Sequence, residues 1–325
     1  MKKLTNDGAL IIFAMFAAAS FNALAQTAYP GKPIRFLVGY APGGVNDIVS
    51  RVLAPELAAG LGQQVVVDNR AGASGLIANS LAAQAAPDGH TMVLVPTSFA
   101  IDVARGAKLP YDPVRDFAPV ALVASSSLVL VVNPALQANS VRDLIAVARA
   151  KPGQLSYAHA GNGNITHIAT EMLVAMTGIS VVSVAYKGGG PAITDILSGQ
   201  VQFGTPTIPP ALGALKAGRI RALGVTGSQR SSILPGVPTI AEAGVAGYEA
   251  TAWWGVLLPR GTPASIVNRL NLEIRRALEV AQTRERLAGL GAEPVGSSPA
   301  EFGDFLRAET VRWKKVMQTA GMKID

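Results

Sequence analysis

The chain has 325 residues, no cysteine and a formal net charge of +7, from 28 Lys and Arg against 21 Asp and Glu. The absence of cysteine excludes disulfides, cysteine-ligated metals and thiol catalysis together. The basic residues are scattered, with no basic run interleaved with aromatics, which argues against nucleic acid and leaves a mild bias towards a small anionic ligand.

Lys2 and Lys3 precede an apolar run, 9–19, too short to span a bilayer, and Ala23-Leu24-Ala25 has the small-x-small form of a cleavage site. Residues 1–25 are therefore expected to be a signal peptide removed on export. The segment carries +1 of the +7, so the exported protein keeps +6 over 300 residues. That length builds a core without covalent staples and suits two domains. No later stretch offers ~18 uncharged apolar residues, so the mature protein is expected to be soluble.

Strand and helix patterns then alternate, as in an α/β protein with mostly parallel sheets. Strand 34–40 runs into Ala41-Pro42-Gly43-Gly44-Val45-Asn46-Asp47 and a helix with Ile48, Val49, Val52, Leu53, Leu57 and Leu61 on one face. Asn46 or Asp47 is its expected N-cap, and Gly62 its stop. Strand 65–68 enters the Gly-rich stretch Asn69–Gly75 and a helix over 77–85. Strand 91–96 ends at Thr97-Ser98-Phe99. Two strands, 120–124 and 128–132, are expected on either side of three serines, and Ser140 caps the helix 141–150. Two more strand–turn–helix units follow, through Gly161-Asn162-Gly163-Asn164 and through Lys187-Gly188-Gly189-Gly190-Pro191. A short strand reaches Thr205, then come a helix to Lys216 and the strand 220–225. Residues 227–250 are rich in Pro and Gly and read as a connection. Apolar 252–258 reads as a strand, followed by amphipathic helices over 265–281, 283–288 and 299–320. That late strand suggests re-entry into the first lobe. Lobe 1 is then 26–127 plus 251–325, lobe 2 is 128–250, and the two crossings act as a hinge.

Each Gly-rich turn offers backbone N–H groups at the positive end of a helix, and four such turns, two per lobe, suggest a cleft for a small carboxylate. The first turn is neither a P-loop, lacking G-K-[ST], nor a dinucleotide fingerprint, lacking G-x-G-x-x-G. Gly72-Ala73-Ser74-Gly75 is not a nucleophile elbow, because Leu76 stands where the final glycine is needed. His159 and His167 are eight apart and lack the i, i+4 spacing of a helical metal pair; His167 is expected in the first turn of its helix, hydrogen-bonded locally. Of Trp253 and Trp254, one is expected in the core and the other on the opposite face of the strand, where it could line the cleft.

Taken in order, these pieces form a longer pattern. Tyr29-Pro30-x-Lys32-Pro33-Ile34 is followed by Pro42-Gly43-Gly44-x-x-Asp47-x-x-x-Arg51, Asn69-Arg70-x-Gly72-Ala73-x-Gly75 and Ala86-Pro87-Asp88-Gly89-His90-Thr91. Then come Leu109-Pro110-Tyr111-Asp112-Pro113, Asp116-Phe117-x-Pro119-Val120, Gly161-Asn162-Gly163-x-x-x-His167 and Tyr186-Lys187-Gly188-Gly189-x-Pro191-Ala192. The pattern closes with Leu234-Pro235-x-Val237-Pro238-Thr239-x-x-Glu242-x-Gly244, Trp254-Gly255, Gly261-Thr262-Pro263 and Ala320-Gly321. Over the whole mature chain it resembles the periplasmic solute receptors of tripartite tricarboxylate transporters, the Bug receptor family.

The resemblance implies a type II periplasmic-binding-protein fold, two α/β lobes with a hinge and a ligand cleft between them. It implies a small organic acid as ligand, held by the first Gly-Gly turn, backbone amides, hydroxyls and bridging water, and delivery to the membrane permease subunits of the transporter. The matching positions are Gly43, Gly44, Asp47, Ser74, Thr97 and Ser98 in lobe 1. In lobe 2 they are Gly161, Asn162, Asn164, Thr166, Gly188, Gly189 and Thr205. A monomer with no cofactor, no metal and no catalysis is expected. Two departures matter: Asn164 stands where the family commonly has Ser or Thr, and Thr205-Pro206 where many members have Phe-Asp. Without that acid an amino-acid ligand is disfavoured, because an ammonium group wants a carboxylate partner. Two other roles for the same chain are a ligand sensor docking on a signalling ectodomain and, less favoured, an exported hydrolase.

Overall fold

The computed structural model describes residues 29–72, 75–186 and 188–319. The expected signal peptide, Ser74 and Lys187 lie outside them. Eleven strands and ten helices alternate along the described chain and form two sheets. The first sheet holds β1 (Ile34–Val38), β2 (Val65–Asn69), β3 (Thr91–Pro96), β4 (Phe117–Ser127), β10 (Thr251–Pro259) and β11 (Glu293–Pro294) in the order β2-β1-β3-β10-β4-β11. The second holds β5 (Val129–Val132), β6 (Ser156–His159), β7 (Val182–Ala185), β8 (Phe203–Gly204) and β9 (Arg221–Val225) in the order β7-β6-β8-β5-β9.

The two sheets share one plan. In each, three parallel strands (β2-β1-β3 and β7-β6-β8) adjoin an antiparallel strand contributed from elsewhere in the chain, β10 in the first and β5 in the second. Parallel strands need crossover connections, and helices supply them here. These are α1 (Val45–Leu61) and α2 (Leu76–Ala83) in the first sheet, and α5 (Ile165–Thr177) and α6 (Gly189–Ser198) in the second. Both carboxyl ends of the parallel strands therefore point loops at the region between the sheets, where open α/β sheets place ligands.

The chain crosses between the sheets twice, and the serines expected to separate two strands are part of the crossing. β4 continues through them because β10 lies alongside: Ser125, Ser126 and Ser127 pair with Trp253, Ala252 and Thr251. Partner strands override the low strand preference of serine. Just beyond, Leu128 N–H donates to Thr226 Oγ1 at 2.8 Å, Thr226 N–H returns to the Leu128 carbonyl at 3.0 Å, and Ala250 N–H reaches the Thr226 carbonyl at 2.8 Å. Both crossings are thus tied to each other at one buried threonine.

C-terminal helices complete the packing of the first sheet. α8 (Ala264–Glu279) packs on α1, while α10 (Pro299–Thr319) packs on β4 and on α3 (Ser98–Ala104), a helix absent from the expected elements. Gly255 of β10 sits against the Phe302 ring of α10, where a Cβ would overlap the ring carbons, and Phe302 is fully buried. Gly255→Ala is expected to destabilise the fold by about 2–3 kcal/mol through overpacking. Urea denaturation with an unchanged m value would read this directly.

Candidate functional site

The turn after β1 departs from the expected capping. Gly44 is the N-cap of α1, in an extended conformation with φ −77°, and the left-handed residue is Gly43, at φ +82°. Asp47 lies three residues into the helix and reaches back past the N-cap to accept the Gly43 N–H at 2.9 Å, one residue before the amide that a capping box engages. Its oxygens also accept from Arg51 Nε at 2.9 and 3.0 Å and from Asn69 Nδ2 at 2.9 Å. Burial works against its charge, but Arg51, the Gly43 amide and Asn69 outweigh it and hold the carboxyl below the usual range. Asn69 Nδ2 donates in addition to the Tyr40 carbonyl at 3.0 Å, so this network fixes the backbone where β1 ends.

A cavity of about 330 Å³ opens beside that backbone. Gly39, Tyr40, Ala41, Ala71, Gly72, Ser98, Asp102 and Arg105 line it from the first lobe, and residues 160–164 from the second. Tyr40 and Ser98 share a hydroxyl hydrogen bond of 2.7 Å across the wall. Burial pushes the Tyr40 hydroxyl up to about 12, with Ser98 opposing, so it stays a protonated donor at neutral pH. Asp102 and Arg105 lie on and just beyond α3, with Arg105 Nε 2.9 Å from Asp102 Oδ1. Burial raises the Asp102 carboxyl and the arginine draws it partly back.

The second-lobe wall is the turn between β6 and α5. Asn164 caps α5 by accepting the Thr166 N–H at 3.1 Å. Thr166 Oγ1 accepts from Ala160 N–H at 2.9 Å and donates to Asn164 Oδ1 at 3.1 Å. Two histidines stand behind the turn as acceptors: Gly161 N–H reaches His159 Nδ1 at 3.3 Å, and Gly163 N–H reaches His167 Nδ1 at 3.2 Å. Their rings stack 4.2 Å apart. Burial depresses His167 to about 4, helped by His159, and burial also lowers His159, so both are neutral at pH 7. Neutrality is what lets Nδ1 accept an amide hydrogen.

From the expected set the cavity gathers Ser98, Gly161, Asn162 and Asn164. The other described positions lie off its walls. Gly43 and Gly44 are exposed beside it, with the Gly43 amide already given to Asp47. Asp47 is buried behind the turn. Thr97 Oγ1 accepts the Trp253 N–H at 2.8 Å. Thr166 braces its own loop, and Thr205, fully buried, donates to the Thr166 carbonyl and meets Thr170 Oγ1. Gly188 and Gly189 open α6 away from the cavity. Neither tryptophan lines it. Trp253 Nε1 donates to Glu309 at 2.9 Å and Trp254 Nε1 to Asn46 Oδ1 at 2.6 Å, and both rings are buried.

Tyr40, Asp102 and Arg105 escaped the sequence reading. The i, i+3 spacing of Asp102 and Arg105 was the available signal, hidden because α3 itself went unrecognised. A larger depression of about 580 Å³ lies beside α10, between Met172 and Val311. It contains none of the turn residues, and its Arg312 is already held by Glu309 and the Glu249 carbonyl. Among the described residues no group of acids, histidines or cysteines could hold a metal, and no helix is long and apolar enough to cross a membrane.

Two α/β lobes with matching strand order, joined by two crossings and facing each other across a polar cavity, define a bilobal solute-binding protein. The family model described as the tripartite tricarboxylate transporter family receptor matches residues 49–322, and the chain belongs to that family. Protein BugT of Bordetella pertussis is 37% identical over 319 residues, covering 97% of this chain and 98% of that protein. The structure of R. palustris Rpa4515 with adipate superposes with a TM-score of 0.81 at 38% identity, covering 90% of this chain and 98% of the other. MatC from Rhodopseudomonas palustris with bound malate gives 0.78 at 33% identity, with coverage of 89% and 99%.

Proposed function

We propose that this receptor captures a small organic acid in the cavity between its lobes and delivers it to the membrane permease of a tripartite tricarboxylate-type transporter. It works in the periplasm as a monomer, after removal of residues 1–25, and performs no catalysis. The lobes of this reading are 26–127 with 251–325, and 128–250. One observation carries it: a single cavity joins hydroxyl donors and a guanidinium of the first lobe to the turn at the start of α5 in the second. An acid that must touch both walls favours the closed arrangement of the lobes. Charge-assisted hydrogen bonds are worth roughly 1.5–3 kcal/mol each, so two or three, with water excluded, reach micromolar affinity. The adipate and malate held by the two related structures support an acid of this class.

A thermal-shift screen of about fifty organic acids tests the reading. Ligand at 100 times its dissociation constant stabilises by ~2.7 kcal/mol, so a hit is unambiguous, and a screen without one would overturn the proposal. Charge preference is the sharper check. The one acid on the described walls, Asp102, is largely buried and already paired with Arg105, which makes it a poor partner for an ammonium group. Succinate is therefore expected to bind at least about tenfold tighter than aspartate, ~1.4 kcal/mol by calorimetry.

A further inference from the structure

The second-lobe turn on the cavity wall contains Asn162-Gly163, the one Asn-Gly pair in the chain. A glycine after asparagine leaves its backbone nitrogen unshielded by a Cβ, free to approach the asparagine side chain. Asn162 is exposed, and its side-chain amide has no hydrogen bond among the described residues. Asn69, Asn133, Asn164 and Asn271, by contrast, hold their side chains in hydrogen bonds. The backbone on either side of Asn162 is fixed. Gly161 N–H rests on His159 Nδ1, and Asn164 N–H on the Gly161 carbonyl at 3.2 Å. Gly163, at φ +72°, aims its N–H at His167 Nδ1 over 3.2 Å, within the reach of a general base. Burial and His159 keep that ring neutral at pH 7, so Nδ1 holds a free lone pair for the proton.

We propose that Asn162 is a self-modification site, where His167 serves as the base and an amide on the cavity wall becomes a carboxylate. The Gly163 nitrogen attacks Asn162 Cγ, and the new N–C bond forms as the Cγ–Nδ2 bond breaks. His167 Nδ1 takes the proton from the Gly163 nitrogen and returns it to the departing nitrogen, which leaves as ammonia. Water then opens the cyclic imide at either carbonyl. One opening gives aspartate, the other isoaspartate with an extra methylene in the main chain, and the new acid ionises to solvent. Nothing is oxidised or reduced, and water is the one co-reactant. The product places a negative charge on the wall that receives an anionic ligand, so each molecule loses acid affinity once it has converted. That consequence rests on the receptor reading above; the chemistry does not.

The test is peptide mapping by mass spectrometry on the mature chain held folded at neutral pH, beside His167→Asn and His167→Gln. Conversion is expected at Asn162 ahead of every other asparagine. His167→Asn keeps an acceptor for the Gly163 amide but supplies no base, which separates proton removal from the shape of the turn. It is expected to convert at least about tenfold more slowly, within what a positioned base contributes. Should it not fold, His167→Gln replaces it, and added imidazole is expected to recover part of the rate in either variant. An Asn162 that stays unconverted in the folded wild type overturns the proposal, and so does equal conversion in a folded His167 variant. Calorimetry with succinate and adipate reads the consequence: Asn162→Asp is expected to bind at least about tenfold weaker than freshly purified wild type. Equal affinities overturn the loss of binding on conversion. Conversion in a chain that binds no acid in the screen removes the receptor reading and leaves the chemistry standing.

Discussion

Replacing Asp47 by alanine is expected to cost about 2–3 kcal/mol of stability and to weaken acid binding at least about thirtyfold, although Asp47 touches no part of the cavity. Its carboxylate is buried and takes hydrogen bonds from the Gly43 amide, Arg51 and Asn69. Removing it leaves the part-buried Gly43 amide without its acceptor, releases a guanidinium that is half exposed, and takes from Asn69 one of its three partners, leaving Arg51 and the Tyr40 carbonyl. The partial exposure of Arg51 places the cost below that of a fully buried pair. Asn69 also holds the Tyr40 carbonyl, so the loss passes to the Tyr40–Ser98 wall. The pH dependence follows from the lowered pKa. The carboxyl is ionised in the native state below its unfolded value, so its contribution is complete above about pH 4 and is lost as pH falls through the native pKa. Chemical denaturation at pH 7 and at pH 3 should therefore show a smaller gap between wild type and Asp47→Ala at the lower pH.

The second large effect concerns the histidine pair. His167 is depressed from 6.5 to about 4 by burial and by His159. Between those values the unfolded chain binds a proton that the native one does not, so stability falls as pH drops from about 6.5 to about 4 and is level below. The ring is partly exposed, which reduces its share to on the order of 1–2 kcal/mol. His159 adds in the same direction, with Glu171 nearby favouring its charge and opposing the shift. Binding should weaken over the same interval. A protonated Nδ1 no longer accepts the Gly161 or Gly163 amide, and those amides shape the second-lobe wall. Thermal melts between pH 7.5 and 4 are expected to show the decline in wild type and a shallower one in His167→Gln. Parallel curves would remove His167 from the account.

Much of the fold was legible because alternating strands, helices and Gly-rich turns have strong local signatures: β1, α1 and Gly62 lie where period and punctuation place them. The continuous β4 was not legible, since Ser125–Ser127 form strand only because distant Thr251–Trp253 pair with them. The site was legible to the level of the turns and not of the atoms. Gly161, Asn162 and Asn164 reach the cavity because their turn does. Thr97 Oγ1 accepts the Trp253 amide, and the Thr205 hydroxyl is taken by the Thr166 carbonyl and Thr170, a tertiary matter that no spacing encodes. Arg105 was hidden for a related reason: its place on the cavity wall follows from α3, a helix that the sequence pattern does not announce.

On the proposed function, one acid bridges both lobes. A crystal structure of the mature chain with the tightest acid from the screen tests it most directly. Ligand density is expected in the cavity beside Tyr40 and Ser98, with contacts to residues 160–164 across it. Density confined to one lobe, or lodged in the depression beside α10, would contradict it.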